Sequence, residues 1–286
     1  QCEPVASSAL ARRASAAEDD REMRLPPPPW IAAHRGAEPQ LENTIPALLL
    51  AIDEGADLLE FDVQATADDV LVLHHDADLA RLAGRADLTV ESTPLHALAA
   101  LELRHPERPA ITGCIPTLAE LLAALPGDFP VNTELKRHAT DRGRLARLAL
   151  AATVERDNVL FSSFDAALLG ELRRQSPSAR LAPLAPHWSP ALERFARELA
   201  AWSLHVAAAD FAGSGADAHA GGRLGGPPLL VYTVNDAAGA RAHFAAGAAG
   251  LFTDRPGALR AELGDPSYSG VLSSTYRGSS APRKQA

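Results

Sequence analysis

Short apolar runs recur along this chain, most of them separated by Ala/Leu-rich stretches with helical spacing, and that alternation restricts the fold more than any other feature. WIAAH reads as a strand, and TIPALLLAIDEG follows as a helix that Thr44 caps and Gly55 ends. DLLEFDV and VLVLHH read as strands, TLAELLAAL as a helix, FPVNTEL as a strand and DRGRLARLALAATVER as a helix. NVLFSSF, ARLAPLA, WSLHVAA, LLVYTVN and GLFTD complete the set of strands. Strands that alternate with helices build a mostly parallel sheet. Roughly eight of them in one domain fit a closed (β/α)8 TIM barrel better than an open doubly wound sheet. No glycine-rich phosphate loop follows the first strand, which argues against a nucleotide-binding fold.

The barrel is expected over residues 30–265, with 77–116 too long for one crossover and therefore read as a small insertion. Residues 1–29, ending in four prolines at 26–29, read as a disordered or extended arm, and 266–286 as a disordered tail. The Ala/Gly-rich stretch 207–227 gives no clear helix signal. Aromatic residues make up only 5% of the chain, so Ala, Leu and Val must carry the core. The net charge is −9 with no long basic stretch, which argues against nucleic acid as a partner but leaves room for one small phosphorylated molecule. Cys2 and Cys114 offer neither a disulfide framework nor a metal-type spacing, only a single bridge at most. No apolar run reaches the roughly 18 to 20 residues of a transmembrane helix, and the N-terminus lacks the apolar core of a signal peptide. A cytoplasmic location is the expectation. The first residue is Gln, so a secreted or periplasmic location is the alternative if an upstream leader has been removed. Oligomeric state is left open.

Polar groups at the C-terminal ends of barrel strands converge on one mouth. Here those ends carry His34 and Arg35, Glu60 and Asp62, His74 and His75, then Glu134 and Lys136. Glu60 and Asp62 lie two apart and face the same side of their strand. Inside a barrel such a pair is costly without compensation, and Glu134 makes a third carboxylate. A hard divalent cation, Mg²⁺ or Ca²⁺, suits an all-carboxylate set better than zinc. The alternative is that Arg35 and Lys136 merely pair with these carboxylates as structural salt bridges. A basic pair beside a carboxylate-bound cation is also suited to a phosphate anion. Two histidines at the same mouth can serve as acid and base in phosphoester cleavage.

At these residues the sequence resembles the glycerophosphodiester phosphodiesterase family. The resemblance rests on an ordered series: HRG, LENT, GADLLEFDVQAT, VLVLHHDADLAR, IPTLAELL, NTELK, SSF, YTVN and GLFTDRP, spanning about residues 31–262. It implies a (β/α)8 barrel with an insertion, here 77–116, after the second strand region. It also implies His34 and His75 as the catalytic pair, Glu60, Asp62 and Glu134 on a divalent cation, and Arg35 and Lys136 on the phosphate. Glu42 is placed near the mouth with its role open. The family sets its histidine directly before an aspartate, which selects His75 before Asp76 and leaves His74 structural. Leu41, Asp69 and Tyr232 stand where the family usually has Pro, Gly and Trp. The implied reaction is hydrolysis of a glycerophosphodiester to sn-glycerol 3-phosphate and an alcohol. The alternatives are a lysophospholipase D-like activity, with Leu79, Leu82 and Leu88 offering an apolar groove, and a catalytically silent phosphodiester-binding barrel.

Overall fold

The computed structural model describes residues 23–136, 138–211 and 226–264. In chain order the strands are β1 (Trp30–His34), β2 (Leu58–Ala65), β3 (Leu71–Leu73), β4 (Asp78–Leu79), β5 (Arg85–Thr89), β6 (Leu103–Arg104), β7 (Thr112–Gly113), β8 (Val131–Leu135), β9 (Val159–Ser163), β10 (Arg180–Ala185), β11 (Leu204–Ala207), β12 (Leu229–Tyr232) and β13 (Gly250–Thr253). The helices are α1 (Ile45–Asp53), α2 (Ala80–Ala83), α3 (Leu95–Ala99), α4 (Leu118–Ala124), α5 (Arg142–Ala152), α6 (Ala166–Gln175), α7 (Pro190–Glu198), α8 (Ala208–Phe211), α9 (Ala237–Ala245) and α10 (Pro256–Leu263).

Strands β1, β2 and β8 to β13 run parallel, and β1 pairs with both β2 and β13, so the sheet closes into the expected eight-stranded barrel. Within each strand alternate side chains face in and out. The inward set Trp30, Ala32, Leu58, Leu160, Ala182, Leu230 and Phe252 packs as one layer with Met23. The outward set, including Leu59, Phe61, Val63 and Val131, packs under buried leucines of α1, α4, α5 and α6. Most helices begin where a side chain accepts from a free backbone N–H. Thr44, Asp141, Asp165, Ser189 and Asp236 each do this, and Thr117 with Glu120 forms a capping box. Each such cap stabilises its helix by about 1 kcal/mol. Thr44 caps α1 as expected, and Gly55 follows its end at φ 82°.

One apolar run departs from the barrel. VLVLHH forms β3, which pairs antiparallel with β2 (Val63 with Leu73, Ala65 with Leu71). The reason is chain length, because a parallel return needs a crossover of about a dozen residues or more. Here the turn is closed at once by Thr66 N–H donating to the Val70 carbonyl, 2.8 Å. Asp69 stands in this turn at φ 65°, a left-handed conformation that Asp tolerates better than most residues. His75 therefore reaches the mouth on a returning hairpin rather than at the end of a barrel strand.

Residues between β3 and α4 form two small two-stranded sheets, β4 with β5 and β6 with β7. Leu79, Leu82, Val90, Leu98, Leu103 and Ile115 give this part its own core, together with Leu41 and Val72. Leu79 and Leu82 are thus buried within the insertion, which corrects the expectation that they supply an apolar groove at the mouth. Of the arm read as disordered or extended over 1–29, residues 23–29 are described and are tied to the barrel. Met23 is buried, Arg24 N–H donates to Asn158 Oδ1 (2.9 Å), and Trp30 Nε1–H donates to the Pro26 carbonyl (2.6 Å). Trp30 stacks on Trp202 with ring centroids 5.6 Å apart, and Met23 joins the same layer, so apolar contact ties down this short segment. Residues 1–22, Cys2 among them, most of the 207–227 stretch and the tail from 265 lie outside the described residues. Cys114 is free and exposed.

His205 sits on β11, fully buried, with Nε2 2.9 Å from Ser203 Oγ and its ring 4.8 Å from that of Phe252. Burial lowers its pKa from 6.5 to about 3. Between those values the unfolded chain binds a proton that the folded chain does not, so stability falls as pH drops below 6.5. This group's contribution to the slope is at most about 1.4 kcal/mol per pH unit. Denaturant unfolding of His205→Gln is expected to show a flatter dependence over that acid range than the parent. Parallel profiles would contradict this assignment.

Candidate active site

The turn after β1 starts the site. Gly36 has φ 107°, and a Cβ there would lie 2.6 Å from the Ala47 side chain, so only glycine lets the chain turn this tightly onto α1. Arg35 and Asn43 on either side of this loop also have positive φ, 58° and 56°. Such strain persists only where surrounding contacts hold it. Here they do. Arg35 N–H donates to the Glu60 carbonyl (2.9 Å) and to Glu60 Oε2 (3.1 Å), and Asn43 N–H donates to the Arg35 carbonyl (2.9 Å). Asn43 Nδ2 donates to Asp62 Oδ2 (2.8 Å) while its Oδ1 accepts from the Asp62 backbone N–H (3.0 Å).

Glu60, Asp62 and Glu134 come together, each buried and each offering a carboxylate oxygen within 4.8 Å of the others. Adjacent parallel strands set the register, with Asp62 directly beside Glu134. Lys136 Nζ lies 3.0 Å from Asp62 Oδ1 and 2.5 Å from Glu134 Oε1, and Arg35 Nε lies 3.0 Å from Asp62 Oδ2. The salt-bridge alternative is therefore realised for Asp62 and Glu134, but two cations cannot neutralise three carboxylates. Glu60 is left with one oxygen, Oε1, buried and without a partner among the described residues. The ionisation tendencies divide accordingly. Burial alone raises Asp62, yet Arg35, Lys136, His75 and Asn43 outweigh it and hold it ionised well below the usual carboxylate range. Burial, then Asp62 and Glu134, push Glu60 well above that range. This is a pocket one positive charge short. Three converging carboxylates, one of them with an orphaned oxygen, fit a hard divalent cation.

Both proposed histidines are oriented by an aspartate. His34 Nδ1 lies 2.7 Å from Asp254 Oδ1, and Asn235 Nδ2 donates to Asp254 Oδ2 (2.6 Å). His75 Nδ1 lies 2.7 Å from Asp76 Oδ1, and Arg81 Nε donates to Asp76 Oδ2 (2.7 Å). With Nδ1 so engaged, Nε2 of each ring is left for substrate. Burial lowers the His75 pKa, with Arg35 and Lys136 adding to it against the opposing pull of Asp62 and Asp76. His74 points elsewhere. It is buried, its Nε2 is 3.0 Å from the Asp78 carbonyl, and its N–H donates to the Asp62 carbonyl (3.1 Å). Glu42 accepts from Arg35 (3.2 Å) and from both terminal nitrogens of Arg81 (2.7 Å each), so it links the β1 turn to the insertion.

Two cavities meet at His34 and Arg35. One, of about 240 Å³, is lined also by Glu60, His75, Asn132, Glu134, Phe164, Leu184, Tyr232 and Phe252. The other, of about 320 Å³, is lined by Glu38, Glu42, Arg81, His105, Glu107 and Asp254. All eight residues singled out from the sequence thus lie in or beside one mouth. Asp254, Asn235, Asn43 and Arg81 were not singled out. Each lay inside a quoted motif (GLFTDRP, YTVN, LENT and VLVLHHDADLAR), but the partner that gives it a place at the mouth lies in another motif, as with Asp254 and His34 or Arg81 and Glu42.

A profile of the glycerophosphoryl diester phosphodiesterase family matches residues 34–258, most of the chain. The chain belongs to this family. Membership places it among enzymes that cut phosphodiester bonds. It is 28% identical over 240 residues to a glycerophosphodiester phosphodiesterase of Caldanaerobacter subterraneus subsp. tengcongensis, 80% of this chain and 95% of that protein. A 52-residue segment, 18% of this chain, is 48% identical to a glycerophosphodiester phosphodiesterase of Arabidopsis thaliana but covers only 14% of that protein. In structure a phosphodiesterase of Oleispira antarctica, solved with the product sn-glycerol-3-phosphate, superposes with a TM-score of 0.74 at 24% identity. That match covers 82% of this chain and 97% of the other. No helix among the described residues is long and apolar enough to cross a membrane.

Proposed function

We propose that this chain hydrolyses glycerophosphodiesters to sn-glycerol 3-phosphate and an alcohol. The observation that carries the reading is the meeting of two Asp-oriented histidines with a carboxylate triad one positive charge short, beside Arg35 and Lys136. The product bound to the Oleispira antarctica relative supports the substrate class. Glu60, Asp62 and Glu134 would hold Mg²⁺ or Ca²⁺, which supplies Lewis-acid neutralisation of charge on a phosphate oxygen. Arg35 and Lys136 bind the phosphate anion and offset the charge that grows on it in the transition state. One histidine takes the proton of the attacking glyceryl hydroxyl or water as the new P–O bond forms; where the hydroxyl attacks, water then opens the resulting cyclic phosphate to the monoester. The other donates a proton to the alkoxide as the old P–O bond breaks.

Arg81 acts through Asp76 and Glu42 as a positioning residue. Arg81→Ala is expected to lower kcat/KM about tenfold, close to 1.4 kcal/mol, and to move the pH profile by freeing Asp76 from its partner. An unaltered rate and profile would remove Arg81 from this account. The reading itself is tested by coupling choline release, the product common to both substrates, to choline oxidase, with glycerophosphocholine and lysophosphatidylcholine assayed in parallel and glycerol 3-phosphate identified as the second product of the former. Release from glycerophosphocholine in preference to the lipid is expected. Preference for the lipid would favour the lysophospholipase D reading, and no release from either would favour a silent barrel.

A further inference from the structure

The cavity that holds His34 and His75 has a polar floor. Asn132 on β8 is fully buried and lines this cavity, yet among the described residues neither its Nδ2 nor its Oδ1 has a partner. Burying an amide with no hydrogen bond is costly against leaving it in water. Native chains keep such a group only where something else meets it. Among the other buried atoms without a hydrogen bond, Glu60 Oε1 and Arg35 Nε also belong to this cavity, the first in the carboxylate triad and the second ion-paired with Asp62 (3.0 Å), whereas Ser162 and His205 do not line it. Asn132 lies directly beside Glu60 in the sheet, so its amide is next to the carboxylates and therefore next to the phosphate in the proposed reaction. The remaining walls, Phe164, Leu184, Tyr232 and Phe252, are apolar or aromatic. Tyr232 gives its hydroxyl to the Ala185 carbonyl (2.8 Å), so its hydrogen is already used. A small carbon skeleton carrying a hydroxyl matches this shape. A hydroxyl both donates and accepts, and a primary amide offers one of each.

We propose that Asn132 is a specificity-determining residue that hydrogen-bonds a hydroxyl of the substrate's glyceryl arm in this cavity. The inference rests on the glycerophosphodiester reading and adds which arm of the diester occupies the cavity and which residue recognises it.

The test crosses one protein group with one ligand group. Calorimetric titration of the full chain in saturating Mg²⁺ compares sn-glycerol 3-phosphate with n-propyl phosphate, which keeps the phosphate and three carbons but has no hydroxyl. The wild type is expected to bind glycerol 3-phosphate at least about tenfold more tightly. Asn132→Leu should bind both alike, at the wild-type affinity for propyl phosphate. A variant that keeps the discrimination, or a wild type that shows none, overturns the proposal. Two controls separate other roles. Without ligand, Asn132→Leu should melt no lower than wild type, since it removes an unpartnered amide and keeps the volume; a fall of several degrees would make Asn132 structural and end the proposal. Mg²⁺ affinity should be unchanged, and a tenfold loss would make Asn132 an ion ligand instead. If the wild type turns over glycerophosphocholine while the variant still discriminates, only this inference fails. If the wild type neither binds glycerol 3-phosphate nor turns over substrate, the functional reading fails first.

Discussion

Removing divalent cations with excess EDTA will abolish turnover, and Mg²⁺ or Ca²⁺ will restore it. The basis is charge count. Asp62 and Glu134 share Lys136, and Arg35 adds to Asp62, but Glu60 Oε1 is buried without a partner among the described residues. Glu60→Gln and Asp62→Asn should each lower kcat by about a thousandfold or more, the scale of losing a major electrostatic contributor to the transition state. Stability should move in a way that a purely structural triad would not. A cation that binds only the folded chain stabilises it by about 2.7 kcal/mol at a hundred times its Kd. The wild type should therefore melt higher when the cation is added, and Glu60→Gln should lose most of that rise. Without cation, Glu60→Gln should melt no lower than wild type, because it removes the carboxylate that burial and two like charges destabilise. Full turnover in excess EDTA would show that the triad is only a salt-bridge cluster.

Substituting the two histidines of the HHD motif will separate chemistry from stability. His75→Ala is expected to cost about a thousandfold or more in kcat, as is His34→Ala, since each ring has one nitrogen fixed by an aspartate and lines the cavity with the other. His74→Ala should stay within about tenfold in kcat, less than about 1.4 kcal/mol of barrier. It should nonetheless destabilise the fold by about 1–3 kcal/mol, because the buried ring meets the Asp78 carbonyl. Thermal melts and initial rates on the same three variants provide the check. Equal rate losses at positions 74 and 75 would mean that the returning β3 presents both rings to the mouth.

How much of this was legible in the sequence differs by element. The barrel was legible because its strands are continuous apolar runs such as NVLFSSF and LLVYTVN, buried on both faces and separated by capped helices. Strand direction was not, since VLVLHH carries the same pattern and only its short link to β2 makes it antiparallel. Met23 escaped notice because one apolar residue in a polar arm has no periodicity, although its burial in the layer around Trp30 is complete enough to hold the segment. At the mouth, Glu60 and Asp62 announced themselves by sharing one face of a strand. The orienting partners did not. Asp254 and Asn235 serve a histidine on β1, a pairing made by barrel closure across 220 residues between Asp254 and His34. The insertion leucines misled for a related reason, because burial within their own small core is set by β4 to β7 packing and not by spacing.

The central claim is that this mouth cuts glycerophosphodiesters on the alcohol side of phosphorus. Phosphorus-31 NMR of glycerophosphocholine incubated with the full chain and Mg²⁺ tests it most directly, because the two products of cleavage on either side have distinct resonances. The account predicts loss of the diester signal and growth of the glycerol 3-phosphate monoester alone, with none of either change in the His75→Ala protein. Growth of phosphocholine instead, or a diester signal that persists in the wild type, would contradict it.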